Sequence, residues 1–148
     1  MFGQAGSAPK LLFPGLAGFY ATVSDLWYPM IRVIAGGFLL YHGWGKLMAG
    51  VAPVAAGLTK YGIEPHTPLA YVVIFLETVG AICIILGLFT RVFAPAIAIE
   101  MAIIAFVVKM PLGFGQMEWF LLWGIVIFAI ALRGGGPYSL DHVIGKEL

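Results

Sequence analysis

Residues 68–89, PLAYVVIFLETVGAICIILGLF, carry a single charged side chain, Glu77. A helix needs roughly 20 mostly apolar residues to cross a hydrocarbon layer of about 30 Å. Backbone groups in lipid must be hydrogen-bonded within the segment, which favours a helix over a strand. The stretch therefore predicts a transmembrane helix.

Three further stretches have the length and apolar character of membrane spans: residues 30–48, 92–110 and 117–132. The first is the most polar, and the last is short enough that it would have to stand nearly upright. Only Thr90 and Arg91 separate the second and third spans, which forces an antiparallel hairpin. The sequence predicts an all-α integral membrane protein, a four-transmembrane-helix bundle.

The ends of the bundle are less regular than its spans. Residues 11–23, LLFPGLAGFYATV, are too short and too interrupted by Pro14 and glycine to cross a membrane. We therefore predict that residues 1–29 form an N-terminal interfacial or docking extension and that residues 30–148 form the membrane domain. Residues 49–67 are predicted to be the longest connection.

Composition excludes several classes of protein. The chain is 61% hydrophobic and 10% charged, too few charges to cover the surface of a soluble enzyme. The net charge is +1 without a basic tract, so no nucleic-acid partner is expected. Cys83 is the single cysteine, which excludes an internal disulfide and a cysteine-based zinc site. No metal and no covalently bound cofactor are predicted.

Charge asymmetry indicates an orientation. In the four-span threading, the side of the termini holds five basic residues, Lys10, Arg32, Arg91, Arg133 and Lys146, and the other side holds three, Lys46, Lys60 and Lys109. The excess predicts a multi-pass protein of a prokaryotic inner membrane with both termini in the cytoplasm. Because the protein is predicted to lie in a membrane, membrane lipids are its expected partners.

Ionisable side chains at membrane depth are costly, and each is a candidate for function. At about 1.5 Å per residue, His42, Glu77 and Glu100 fall into one central layer. Lys46 stacks on the same helix face as His42 and can either extend to the interface or reach towards Glu77. These four residues are the predicted polar site, which would bind quinone or relay protons. A structural polar network that keeps the helices in register is the equal alternative.

Other residues have structural explanations. Arg32, Arg91 and Arg133 are expected to bind lipid phosphates or anchor helix ends. Cys83 is expected to pack in the interior. In the third span a face of small residues permits close approach of another helix, from this chain or from a partner: Ala94, Ala98, Ala102 and Ala105.

Four motifs occur in a fixed order along the spans: YHGWGKL with His42 and Lys46, FLETVG with Glu77, GLFTR with Arg91, and GGPYSLD with Asp141. Together with Arg32, they make residues 30–141 resemble the DoxX-like family of small membrane proteins. The resemblance implies a four-helix membrane bundle and an association with quinone-linked redox complexes. The resemblance supplies no agreed set of catalytic residues. The 29 N-terminal residues make this chain longer than the minimal family pattern.

These observations lead to two functional hypotheses. The first is a subunit of a larger membrane complex linked to quinone and electron transfer, at most a non-metal subunit of an oxidoreductase that needs an electron-carrying partner. The alternative is a purely structural subunit of a respiratory or photosynthetic assembly. A small-solute transporter fits less well, because no matching pair of broken helices indicates an inverted repeat.

Overall fold

Helices account for most of the chain in the computed structural model, which describes residues 12–146. A short 3-10 turn, Pro14–Leu16, leads into the first helix, and no strand occurs within the described range. In chain order the helices are α1 Ala17–Val23, α2 Trp27–Ala49, α3 Val51–Lys60, α4 His66–Leu86, α5 Thr90–Leu112, α6 Phe114–Arg133 and α7 Leu140–Ile144. The predicted all-helical fold is confirmed.

Three helices, α4, α5 and α6, are each long and apolar enough to cross a membrane. The predicted spans 92–110 and 117–132 lie within α5 and α6. The predicted span 68–89 lies within α4 except for residues 87–89, which follow the end of that helix. The predicted span 30–48 lies inside α2. This helix is long and apolar enough to cross a membrane only when it is taken together with Pro14–Val23, and the two helical segments are bent by 47° relative to each other. The protein is thus a multi-pass membrane protein with three, or at most four, crossings by length and composition.

The predicted N-terminal extension is partly described. Residues 1–11 lie outside the described part of the chain, whereas Pro14–Val23 is helical and has no buried residue. The α2 helix begins at Trp27, three residues before the predicted span. Pro29 does not prevent this earlier start, since a proline is tolerated in the first turn of a helix, where its missing N–H has no partner.

The connection predicted over residues 49–67 is largely helical, which is a correction to the sequence analysis. Val51–Lys60 forms α3, and Gly50 separates it from α2. Pro53 is typical of a helix breaker, but it lies in the first turn of α3, where proline is tolerated. The α3 helix packs against α4 and so becomes one wall of the site described below.

The core lies where α2, α4, α5 and α6 meet. Small side chains at this meeting point, Ala35, Ala81 and Ala94, are almost fully buried and let the helices approach closely. Larger aliphatic residues such as Ile84 and Ile97 fill the remaining space. Cys83 is buried, as predicted.

The small-residue face of α5 is divided between the interior and the surface. Ala94 and Ala105 are completely buried. Ala98 and Ala102 border a groove of about 380 Å³ between α5 and α6. The helix that approaches this face is therefore in part α6 of the same chain, with Gly124 of α6 opposite Met101.

Candidate functional site

An ion pair connects α2 and α4 inside the bundle. The Lys46 Nζ donates to the Glu77 Oε1, with the lysine side chain 35% exposed and the glutamate side chain 3% exposed. Glu77 lies eleven residues into α4, about 16 Å from its beginning. Of the two predicted conformations, Lys46 therefore adopts the one that reaches inward to Glu77.

Two backbone features bring these side chains together. Gly43 places α2 directly against the Glu77 backbone, where a Cβ at position 43 would lie 2.7 Å from the Glu77 Cβ. Within α4, Leu76–Gly80 widens into a π-helical turn, a feature often found at functional sites. Hydrophobic periodicity reveals neither feature. Gly43 within YHGWGKL is nevertheless a sequence signal that two helix backbones approach closely.

Glu100 of α5 lies beside this pair. Glu100 is 7% exposed, and neither of its carboxyl oxygens has a hydrogen-bond partner among the described residues. The same holds for the Glu77 Oε2. The charged groups that act on Glu100 are Glu77 and Lys46, so the structure joins three of the four predicted site residues in one cluster.

His42 is not part of that cluster. It lies one turn before Lys46 on α2, is exposed, and makes no hydrogen bond within residues 12–146. Its ring contacts the Tyr41 ring edge-on, at 5.7 Å between centroids. His42 nevertheless lines two cavities, which lie on either side of the Lys46–Glu77 ion pair.

The larger cavity has a volume of about 800 Å³ and lies between α2, α3, α4 and α5. Its walls are apolar except for a few side chains, His42, Lys46, Tyr61 and Glu100. This volume and this apolar lining with a few polar groups are typical of small-molecule sites. Because α3 contributes Val54 and Leu58, sequence analysis without α3 could not anticipate the cavity.

The smaller cavity has a volume of about 360 Å³ and lies between α2, α4, α5 and α6. Glu77 lines it, together with aromatic residues such as Trp119 and Trp123. Lys46 lines both cavities, so the ion pair stands between them. Movement of this single side chain would therefore change both spaces.

A second polar cluster, distant in sequence from the first, fixes the end of the chain. Arg32 is 2% exposed and donates to the backbone oxygens of Gly135 and, at 2.5 Å, Tyr138. The Asp141 carboxylate accepts from the backbone N–H groups of Phe89 at 2.8 Å and Thr90 at 3.1 Å. We call the residues of this cluster the C-terminal clamp.

Gly87 allows the clamp to close. Its φ of +66° is in the left-handed region, and a Cβ there would lie 2.5 Å from both Arg32 Nη1 and Ser139 Cβ. Its carbonyl accepts from the Asp141 backbone N–H at 2.9 Å. The clamp residues line neither cavity, so their chemistry is structural.

Arg91 and Arg133 also contact the protein near helix ends. Arg91 Nη1 donates to the Leu132 backbone oxygen at 3.4 Å. The Arg133 guanidinium lies over the rings of Trp27 at 4.9 Å and Tyr28 at 4.5 Å. These contacts fit the expectation that the arginines anchor helix ends, and lipid binding stays a prediction.

Outside the spanning segments, Glu64 forms local hydrogen bonds with His66 at the start of α4. Its carboxylate accepts from the His66 backbone N–H at 3.1 Å and lies 2.8 Å from the ring Nδ1. The hydrogen bond from the His66 side chain, followed by that from its backbone, lowers the pKa of Glu64. Both residues are away from the two cavities.

Comparison with known proteins places this arrangement in a family. The model for the DoxX family matches residues 28–110, from the first turn of α2 to the last turn of α5. The chain belongs to the DoxX family. An uncharacterized protein of Haemophilus influenzae is similar to it, 27% identical over 125 residues that cover 79% of this chain and 90% of that relative. No solved structure matches the chain.

The residues that carry the DoxX resemblance fall into two places in the structure. YHGWGKL and FLETVG meet at the Lys46–Glu77 ion pair. GLFTR and GGPYSLD meet at the C-terminal clamp. The family model matches residues only as far as 110 and so does not cover GGPYSLD. The support for this motif is its contact with GLFTR in the structure.

Proposed function

We propose that this DoxX-family protein is a quinone-binding subunit of a larger membrane complex linked to electron transfer. The observation that carries the proposal is the 800 Å³ apolar cavity with Lys46 and Glu100 in its wall. An isoprenoid quinone has the matching chemistry, since it joins an apolar tail to a head group with two hydrogen-bonding oxygens. The site residues proposed to serve it are His42, Lys46, Glu77 and Glu100.

The depth of the cluster supports a lipid-soluble ligand. Glu100 lies twelve residues before the end of α5, about 18 Å along the helix. This is near the middle of a hydrocarbon layer of about 30 Å. A water-soluble substrate would have to cross half of that layer, whereas a quinone is already dissolved in it.

The chemistry assigned to the residues is hydrogen bonding and proton exchange. The Lys46 Nζ has N–H groups beyond the one bonded to Glu77 and can donate to a quinone oxygen. Reduction of a quinone to its hydroquinone takes two electrons and two protons. A partner redox protein would supply the electrons, and the buried carboxyl groups Glu77 and Glu100 would exchange protons with the head group.

Filling the large cavity is expected to weaken quinone binding. Ala96 and Ala102 are both on α5, but only Ala96 lines this cavity, whereas Ala102 lines the groove between α5 and α6. Ala96→Phe should raise the Kd of a tritiated short-tail ubiquinone by at least about tenfold. The measurement is scintillation proximity on the protein in phosphatidylcholine nanodiscs, with empty nanodiscs as background.

Ala102→Phe is the matched control for this experiment. It adds the same side chain to the same helix and is expected to leave the Kd within about twofold of the unsubstituted protein. Equal affinity in the Ala96→Phe variant would place the ligand elsewhere and refute the site. No binding above empty nanodiscs for the unsubstituted protein would refute the function.

A second experiment tests the link to electron transfer. Glu77→Gln and His42→Ala are expected to lower quinone-dependent turnover in native membranes, because each removes a titratable group beside the cavities. The amount of assembled protein is measured in the same membranes by quantitative immunoblotting. Unchanged turnover with normal assembly would contradict the proposed link.

We also propose a topology with four crossings, in which the bent pair of α1 and α2 is the first, in a prokaryotic inner membrane. Both termini would then be cytoplasmic. Reporter fusions are expected to give a cytoplasmic signal at each terminus and a periplasmic signal between Lys60 and His66. Termini on opposite sides would reduce the number of crossings to three.

One observation favours the alternative of a structural subunit. The groove lined by Ala98, Ala102 and Gly124 lies outside the core and presents small residues, which permit close contact with a helix of another subunit. If assembly is the function, Ala102→Phe should shift the protein to a smaller species on a native gel after mild extraction. The Ala96→Phe variant should then migrate normally.

A further inference from the structure

The cluster at the large cavity contains buried hydrogen-bond acceptors that no donor among the described residues pairs. Three buried carboxyl oxygens have no partner within the described residues: Glu77 Oε2, Glu100 Oε1 and Glu100 Oε2. Buried polar atoms in proteins are almost always paired, so each of the three requires a donor. The Lys46 Nζ supplies one to the Glu77 Oε1, which is a fourth oxygen.

A proton shared by the two carboxyl groups can satisfy only two of these three oxygens. An ion pair with Lys46 requires the charged form of Glu77, so a shared proton would lie on Glu100 and be donated to the Glu77 Oε2. The other Glu100 oxygen then still lacks a donor. His42 and Tyr61 also lie in the cavity wall, but neither makes a hydrogen bond to these carboxyl oxygens.

We infer that the large cavity selects a head group that donates a hydrogen bond to Glu100, and that within the proposed function its preferred ligand is the hydroquinone rather than the quinone. Glu100 lines this cavity and its unpaired carboxyl oxygens are buried, so a ligand that donates to them would have to approach through the cavity. The hydroquinone hydroxyl donates to that oxygen, and no covalent bond changes in this binding step.

The oxidised ligand lacks this interaction. A quinone has two carbonyl oxygens, both acceptors, so it can accept from the Lys46 Nζ or from the Glu100 O–H but donates nothing to the other Glu100 oxygen. Its binding would seal a carboxyl oxygen into an apolar cavity without a donor, which is the costly outcome for a buried acceptor. The hydroquinone keeps an oxygen for Lys46 and adds the missing donor.

Phospholipid amines are the other donors in a membrane, and depth separates them from hydroquinones. Ammonium head groups lie at the interface, whereas Glu100 is about 18 Å from the end of α5. Nanodiscs made only of phosphatidylcholine, whose quaternary ammonium carries no N–H, remove lipid amines from the test.

The experiment compares the two redox forms on the unsubstituted protein. Decylubiquinone and anaerobically prepared decylubiquinol compete with the tritiated ligand in those nanodiscs, and we expect the reduced form to bind at least about tenfold more tightly. Glu100→Gln is expected to remove most of this preference, since the amide brings its own donors. Glu118→Gln, the same change at an exposed site on α6, should preserve it.

The outcomes separate this inference from the function on which it rests. Equal or tighter binding of the oxidised form, lost in Ala96→Phe, would overturn the hydroquinone preference and leave the proposed function in place. No binding of either form would overturn the proposed function itself. The ratio measured on the unsubstituted protein decides the question even if Glu100→Gln fails to fold.

Discussion

Replacing Arg32 by Met is expected to lower the free energy of unfolding by about 3–5 kcal/mol. Methionine fills much of the same volume but donates no hydrogen bond. The backbone oxygens of Gly135 and Tyr138 would lose their donor, and the segment between α6 and α7 would lose two of its hydrogen bonds to α2. The measurement is denaturant unfolding of the purified protein in mixed micelles.

Arg133→Met is the control, because it makes the same change on an exposed arginine whose described contacts are with the Trp27 and Tyr28 rings. Its expected cost is about 1 kcal/mol or less. Quinone binding by surviving Arg32→Met protein should be nearly normal, since Arg32 lines neither cavity. Equal losses of stability for the two variants would show that the clamp does not stabilise the fold.

Gly43→Ala is expected to cost about 3 kcal/mol, at the upper end of the range for overpacking. The added methyl group would meet the Glu77 backbone and its Cβ, and a backbone in a helix cannot move aside as the end of a side chain can. The α2 and α4 helices would have to separate, which also stretches the Lys46–Glu77 ion pair. We therefore expect both a lower free energy of unfolding and weaker quinone binding.

Gly37→Ala tests whether the effect comes from contact rather than from the loss of a glycine. Position 37 is on the same helix, and a methyl group added there would have nothing within 4 Å. Since alanine is the better helix former, this variant should be as stable as the original or more stable by up to about 1 kcal/mol. A Gly43→Ala protein that is equally stable would mean that α2 and α4 are not in close contact.

Much of the fold follows from the order of the residues. The apolar stretches around Glu77 and Glu100 specify α4 and α5, because a membrane excludes unpaired backbone groups and leaves a helix as the favoured conformation. The same reasoning leaves Lys46, one turn after His42, able to reach either Glu77 or the interface with its flexible side chain, and the structure shows it bonded to Glu77. The α3 helix escapes this reasoning because Pro53 and Gly57 resemble loop signals.

The candidate site depended more on tertiary structure. Three of its four predicted members meet, but His42 stays outside the cluster because its side chain lies on an exposed part of α2. Helical periodicity places a residue on a face and at a depth, yet it does not state which neighbour that face meets. The large cavity exists only because α3 folds against α4 and completes its wall.

By itself, the sequence determined that this polypeptide is helical and lies in a membrane, and that Glu77 and Glu100 fall at the depth of the hydrocarbon, because these properties depend on local hydrophobicity and helix length. Tertiary structure alone decided that Asp141 caps the distant turn at Phe89 and Thr90 and that Glu100 is buried beside a cavity with its carboxyl oxygens unpaired among the described residues. Such pairings depend on which helices pack together, and packing is fixed by the fit of surfaces distant in sequence.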